Sequence, residues 1–127
     1  MDAALARTLD AQVAGAAASH QRLLATLDRG LELAATSPAS AGALSDAACK
    51  APSLLAGWSR GHLLSHIARN AESHVRMFQA ATRGDVSEQY PGGKPTRNRE
   101  IDQGSTKSAE QLVVDVRTSI YLLEAAW

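Results

Sequence analysis

The segment 54–72 reads LLAGWSRGHLLSHIARNAE, and it largely determines how the chain is interpreted. Gly57 predicts a tight turn, and Ser59 can cap a following helix because its hydroxyl can accept a hydrogen bond from a first-turn amide. Within that helix His62 and His66 are four residues apart, so they project from the same side. Such imidazoles suit a metal or a substrate. Because soluble zinc sites need three or four ligands, two histidines alone do not define one.

Length, charge and composition predict one soluble helical domain. The 127 residues suffice for a single core, and lysine plus arginine balance aspartate plus glutamate at 13 each. Without net charge the chain has no field that favours nucleic acid or an anionic membrane, so we expect neither as a partner. No stretch approaches the roughly 20 apolar residues of a membrane span, and no signal peptide is recognisable. A single cysteine, Cys49, fits a cytoplasmic location.

A stripe of apolar residues predicts a long first helix. The stripe runs from Leu5 to Leu31 with intervals of three and four residues. We expect the helix to fade near Thr36, since Pro38 disfavours helical geometry in the residue before it. The small residues at 40–50 have no clear period, and we expect no more than a short helical turn there.

Two further long helices are predicted downstream. One begins at Ser59 and ends at Gly84, and the other begins at Ser108, which precedes Gln111 as in a capping box. Their apolar faces comprise Leu64, Ile67, Ala71, Val75 and Phe78 in the first, and Leu112, Val113, Val116, Ile120, Leu123 and Trp127 in the second.

The connection between these two helices contains two prolines and two glycines. Residues 90–95, YPGGKP, are expected to form a loop, because prolines lack amide donors and glycines leave the backbone loose. A short helix is predicted over Arg97–Gln103, with Gly104 ending it.

The apolar face of the last helix is still strong at Trp127. Three long helices in antiparallel succession usually need a fourth to close their core. We therefore expect residues 1–127 to be a single helical domain that is incomplete at its C-terminus, or one that completes its core as a homodimer.

Two stretches resemble those of mycothiol-dependent maleylpyruvate isomerases, a family of the DinB-like four-helix superfamily. The segment 57–72 resembles the signature of their second helix, and 96–106, TRNREIDQGST, resembles the approach to their third. EAAW at 124–127 is similar to the end of that third helix. The resemblance extends from about Ser19 to Trp127. It implies an all-α, DinB-like up-and-down helical bundle in which three long helices are present and the fourth is missing.

The same resemblance implies a thiol-dependent enzyme with a small-molecule substrate. In this family mycothiol adds to the cis double bond of maleylpyruvate, the bond rotates, and elimination gives fumarylpyruvate. A divalent metal, typically zinc, favours the thiolate; its ligands are a histidine of the second helix, and a glutamate and a histidine on a later helix. His66 matches the first ligand. The others would lie beyond Trp127, so the isolated chain is expected to be inactive, and no catalytic residue is assigned.

Four other residues are candidates for contact with substrate or cofactor. His62 shares a face with His66, and Asn70 lies one turn beyond it, although both are also compatible with packing or local polar contacts. His20 interrupts the apolar stripe of the first helix, where a buried ring needs a hydrogen-bond partner. Arg97 suits an anionic substrate, with a local network of caps and ion pairs as the alternative.

Alternatives are open for both the site and the function. From spacing alone, His66 is a half-buried histidine packed beside Leu63. Trp58 is expected to fill the end of the bundle, and His74 to lie in the core or an interface. The reaction is alternatively a thiol S-transfer on the same fold, because the sequence does not identify the electrophile. A different class is a non-catalytic helical module that binds a partner or dimerises.

Overall fold

The computed structural model describes residues 2–127, and within them all regular structure is helical apart from one isolated β-bridge between Pro52 and Ser59. The all-α fold class is therefore confirmed. The helices are α1 (Ala3–Thr36), α2 (Asp46–Lys50), α3 (Arg60–Thr82), α4 (Gly93–Ser105) and α5 (Ala109–Ala126). None of these helices is both long enough and apolar enough to span a membrane.

Serine caps begin α3 and α5 where the sequence predicts them. The Ser59 hydroxyl accepts a hydrogen bond from the amide of His62 at 3.2 Å. The Ser108 hydroxyl accepts one from the amide of Gln111 at 3.1 Å. Each cap satisfies an amide that has no partner within its own helix, so both predicted helix starts are confirmed.

The helix α4 begins earlier than predicted. The prediction placed residues 90–95 in a loop and a helix over Arg97–Gln103, whereas α4 starts at Gly93. Pro95 is tolerated because it falls in the first turn, where a backbone amide has no partner inside the helix.

Gly104 lies inside α4 and does not end it, so this part of the prediction is wrong. The helix continues to Ser105. A Cβ atom at Gly104 would overlap the Oγ atom of Ser65 in α3. The glycine therefore permits the close approach of α4 to α3.

The helix α4 runs back along the first half of α3. Tyr90, just before α4, contacts Asn70, whereas Asp102 near its end contacts His62. Residue numbers thus rise along α4 as they fall along α3, which makes the two helices antiparallel.

Because α4 returns the chain to the beginning of α3, α5 runs in the same direction as α3. The amide of Ala109 donates to Asp46 of α2, which packs against the start of α3. Farther along, Asp115 of α5 lies 4.0 Å from Arg69 of α3. The three long helices are expected to be antiparallel in succession, and this is wrong for α3 and α5, which are parallel. The reason is that α4 runs antiparallel to α3 and brings the chain back to the start of α3 before α5 begins.

The core lies where α1, α3 and α5 meet. Its buried members include Leu24 and Leu27 of α1, Leu64 and Ala68 of α3, and Leu112, Val113, Val116 and Ile120 of α5. The predicted stripe of α1 is only partly buried, since Leu5, Leu9 and Val13 are 52%, 42% and 39% exposed. The packed part of α1 is therefore its second half.

Candidate functional site

A polar stripe on α3 faces α4. It consists of His62, His66 and Asn70, which recur every four residues and therefore lie on one side of the helix. All three side chains are half-buried. His66 contacts Arg97 of α4, and Asn70 contacts Tyr90, whose ring lies against Arg97.

His66 is held by an arginine and a tryptophan. Its Nδ1 atom lies 3.4 Å from the Nη2 atom of Arg97, which donates to it, and its ring centroid lies 5.4 Å from that of Trp58. Burial lowers the pKa of His66, and the positive charge of Arg97 lowers it further. At neutral pH His66 is therefore an uncharged imidazole, which is the form that binds metals.

The hydrogen-bond and cation–π partners of Arg97 within residues 2–127 are all neutral. One Nη atom donates to Nδ1 of His66 and the other to Oδ1 of Asn98 at 3.1 Å. The guanidinium also lies over the ring of Tyr90, with its carbon 5.6 Å from the ring centroid. Within residues 2–127 no carboxylate forms an ion pair with Arg97. The half-buried cation therefore keeps its capacity to bind an anion.

Tyr90 completes what we call the α3–α4 cluster, which consists of His66, Asn70, Tyr90 and Arg97. The Nδ2 atom of Asn70 donates to the Tyr90 hydroxyl at 3.3 Å. Sequence reasoning did not select Tyr90, because it lies in a connection without periodicity. Nothing in the sequence around Tyr90 indicates which residues its ring will contact.

His62 is occupied by local contacts. Its Nδ1 atom accepts a hydrogen bond from the amide of Ser59 at 3.2 Å, and its Nε2 atom lies 3.2 Å from Oδ1 of Asp102. Nδ1 therefore acts as the acceptor of the ring, and Nε2 faces the carboxylate of Asp102. Its ring also stacks on Trp58, with centroids 6.2 Å apart. These contacts give His62 a capping function and a link to α4, and substrate contact stays a prediction.

His20 lies in a different contact network. Its Nδ1 atom is 2.8 Å from Oε1 of Glu124, and its ring stacks on Trp127 with centroids 5.7 Å apart. The predicted hydrogen-bond partner of the ring is thus at the end of α5. None of the contacts that join the α3–α4 cluster includes His20.

The described part of the chain does not assemble a metal centre. In residues 2–127 no group of three or more histidine, cysteine, aspartate or glutamate side chains is placed to hold a metal ion. His66 supplies one nitrogen ligand at most, whereas a structural or catalytic zinc site needs at least three protein ligands.

The family model of the mycothiol maleylpyruvate isomerase N-terminal domain matches residues 31–127. The chain belongs to this family. Two solved structures match it at a TM-score of 0.66, each covering 86% of this chain and 41% of the other. One is described as a mycothiol-dependent maleylpyruvate isomerase, at 30% identity, and the other as a histidine-to-alanine mutant of such an enzyme, at 29% identity. No curated protein matches significantly.

The match confirms the resemblance that segments 57–72 and 96–106 indicated, because the family model includes both. It also confirms the DinB-like helical fold. The chain spans 41% of the length of these solved proteins.

Proposed function

We propose that the α3–α4 cluster is part of the active site of a mycothiol-dependent isomerase that acts on a small carboxylate such as maleylpyruvate. The observation that supports this most is the pairing of His66 with Arg97, two residues 31 positions apart in sequence. A half-buried guanidinium that forms no ion pair with a carboxylate of residues 2–127 attracts an anionic ligand. Family membership supports the type of reaction.

The proposed reaction is a cis–trans isomerisation by thiol addition and elimination. Mycothiol, when bound, would supply a thiol that adds reversibly to the cis double bond, so that rotation about this bond and elimination of the unchanged thiol would give fumarylpyruvate.

Arg97 is the residue that we propose to bind the substrate carboxylate. Its two Nη atoms now donate to the neutral acceptors Asn98 and His66, and a carboxylate is a stronger acceptor for the same hydrogens. A carboxylate fixed there would hold the double bond in one orientation toward the thiol, which raises the rate of addition.

Steady-state kinetics of an Arg97→Ala variant test this assignment. The substitution is made in a polypeptide that contains these 127 residues. We expect KM for maleylpyruvate to rise by about tenfold or more, as for loss of a charge-assisted hydrogen bond of roughly 1.5–3 kcal/mol. Arg99→Ala is the matched control, because Arg99 is exposed on the same helix and its guanidinium donates to the hydroxyl of Thr96. Equal kinetics for the two variants would contradict the proposal.

We further propose His66 as one ligand of a divalent metal, with zinc as the expected ion. Its neutral imidazole suits this function, but residues 2–127 do not complete the site. Nδ1 is the unprotonated nitrogen that would bind the metal, and it now accepts from Arg97, so metal binding would require Arg97 to give up this hydrogen bond. The remaining ligands must come from outside these residues, which we propose to be the first part of one DinB-like domain.

Metal analysis of the purified polypeptide tests this second proposal. Bound zinc should be lost in His66→Ala and retained in His74→Ala, because the hydrogen bond of the His74 ring is to the backbone oxygen of Asn70 and not to the α3–α4 cluster side chains. Retention of zinc in His66→Ala would exclude His66 as a ligand.

A further inference from the structure

We propose that Tyr90 is a positioning residue that holds Arg97 in place for a small carboxylate ligand without neutralising its charge. This inference rests on the proposed function, in which Arg97 binds the substrate carboxylate. It assigns a role to a residue of the connection between α3 and α4, outside the helical motifs of the family resemblance.

Tyr90 is anchored at three points. Its hydroxyl accepts a hydrogen bond from Nδ2 of Asn70 at 3.3 Å. Its backbone oxygen accepts one from the amide of Gly93 at 2.8 Å, at the first residue of α4. Its ring, which is half-buried, lies under the guanidinium of Arg97 at 5.6 Å. Tyr90 therefore connects α3 to the start of α4 at the position of Arg97.

An aromatic face holds a cation in a way that differs from a carboxylate. The ring attracts the guanidinium through its quadrupole and leaves the net charge of the pair positive. A carboxylate partner would cancel that charge and occupy the N–H donors. Tyr90 thus restricts the position of Arg97 while the donors remain exchangeable.

Arg69 of the same chain shows the contrasting arrangement. It is also half-buried, but its guanidinium donates to Glu72 at 2.7 Å and lies 4.0 Å from Asp115. Its charge is compensated, so it stabilises packing between α3 and α5 and has little to offer a free anion. Only Arg97, of these two, combines a fixed position with an uncompensated charge.

The ligand class that follows is a small planar carboxylate. Asn98 and His66, the present acceptors of the Arg97 hydrogens, are both neutral and can be replaced by one carboxylate. A neutral ester of the same shape could not compensate the guanidinium charge. We therefore expect the site to prefer the acid strongly over its ester.

Titration with maleate, followed by NMR, tests the inference, with dimethyl maleate as the uncharged probe. We expect Tyr90→Leu to weaken maleate binding by about three- to tenfold and Tyr90→Phe, which keeps the ring face, by no more than about twofold. Binding of the diester should be weak and similar in all variants. Tyr121→Leu removes an aromatic residue that is 72% exposed on α5 and serves as the matched control.

The outcomes separate this inference from the proposed function. If maleate does not bind, or binds equally to Arg97→Ala, the assignment of Arg97 fails and Tyr90 has nothing to position. If Arg97→Ala loses binding but Tyr90→Leu does not, only the role of Tyr90 is refuted. Equal losses in Tyr90→Phe and Tyr90→Leu would also refute the role of the ring. Should Tyr90→Leu unfold, Tyr90→Met repeats the comparison with a side chain that has bulk but no aromatic face.

Discussion

Gly61 is predicted to be a position at which alanine, a better helix former, destabilises the protein. It lies in the first turn of α3, where a Cβ atom would be 2.6 Å from the carbonyl oxygen of Ser105 and 3.2 Å from that of Cys49. Both neighbours are backbone atoms and cannot rotate away as a side chain does. Gly61→Ala must therefore displace the end of α4 or α2 from α3.

The two opposing effects have comparable sizes. Overpacking of a closely fitted contact costs about 1–3 kcal/mol. Replacing a helical glycine by alanine gains at most about 1 kcal/mol, and less in a first turn. The steric cost is the larger, so we expect Gly61→Ala to lower the free energy of unfolding by about 1–2 kcal/mol.

Urea unfolding followed by circular dichroism measures this effect. Gly15→Ala is the matched control, because Gly15 lies in the middle of α1 and a Cβ atom there would meet nothing within 4 Å. This control should raise the free energy of unfolding by up to about 1 kcal/mol. If Gly61→Ala stabilises the protein as Gly15→Ala does, the end of α4 does not pack closely against α3 at Gly61.

Further predictions concern the titration of His66 and of Asp115. In the metal-free chain, Arg97→Gln should raise the pKa of His66, because the charge of Arg97 adds to burial in lowering it; an unchanged NMR titration would contradict this. The unsubstituted chain should lose stability as pH falls below about 6.5, because His66 binds a proton more weakly in the folded state than in the unfolded state. Burial alone would raise the pKa of Asp115, but hydrogen bonds from Lys107 and Gln111 outweigh it and lower the pKa. The contribution of Asp115 to the free energy of unfolding should be present above about pH 3.9 and disappear as pH falls through its lower folded pKa. Urea unfolding of an Asp115→Asn variant should not show this loss of stability in acid.

Local sequence patterns predict the parts of the fold that local forces determine. Ser59 and Ser108 are recognisable as caps because the amides that they satisfy are only three residues away. The direction of α5 relative to α3 is not predictable in this way, because it depends on the length and return path of α4. Gly104 illustrates the limit: glycine near a helix end predicts termination, whereas here it permits contact with Ser65.

The same distinction applies to the candidate site. His66 and Asn70 are predictable partners because helical spacing alone places them on one face. Arg97 is selected by the resemblance, but its contact with His66 depends on how α4 packs. Tyr90 could not be selected, because its position is determined by its tertiary contacts with Asn70 and Arg97.

We propose that this domain contributes His66 and Arg97 to a mycothiol-dependent isomerase. The most direct test is proton NMR of maleylpyruvate incubated with mycothiol and the natural polypeptide that contains these residues. We predict that fumarylpyruvate forms only when mycothiol is present, and that a folded His66→Ala variant reduces its formation to the rate without mycothiol. Undiminished formation by that variant, or no dependence on mycothiol, would contradict the account.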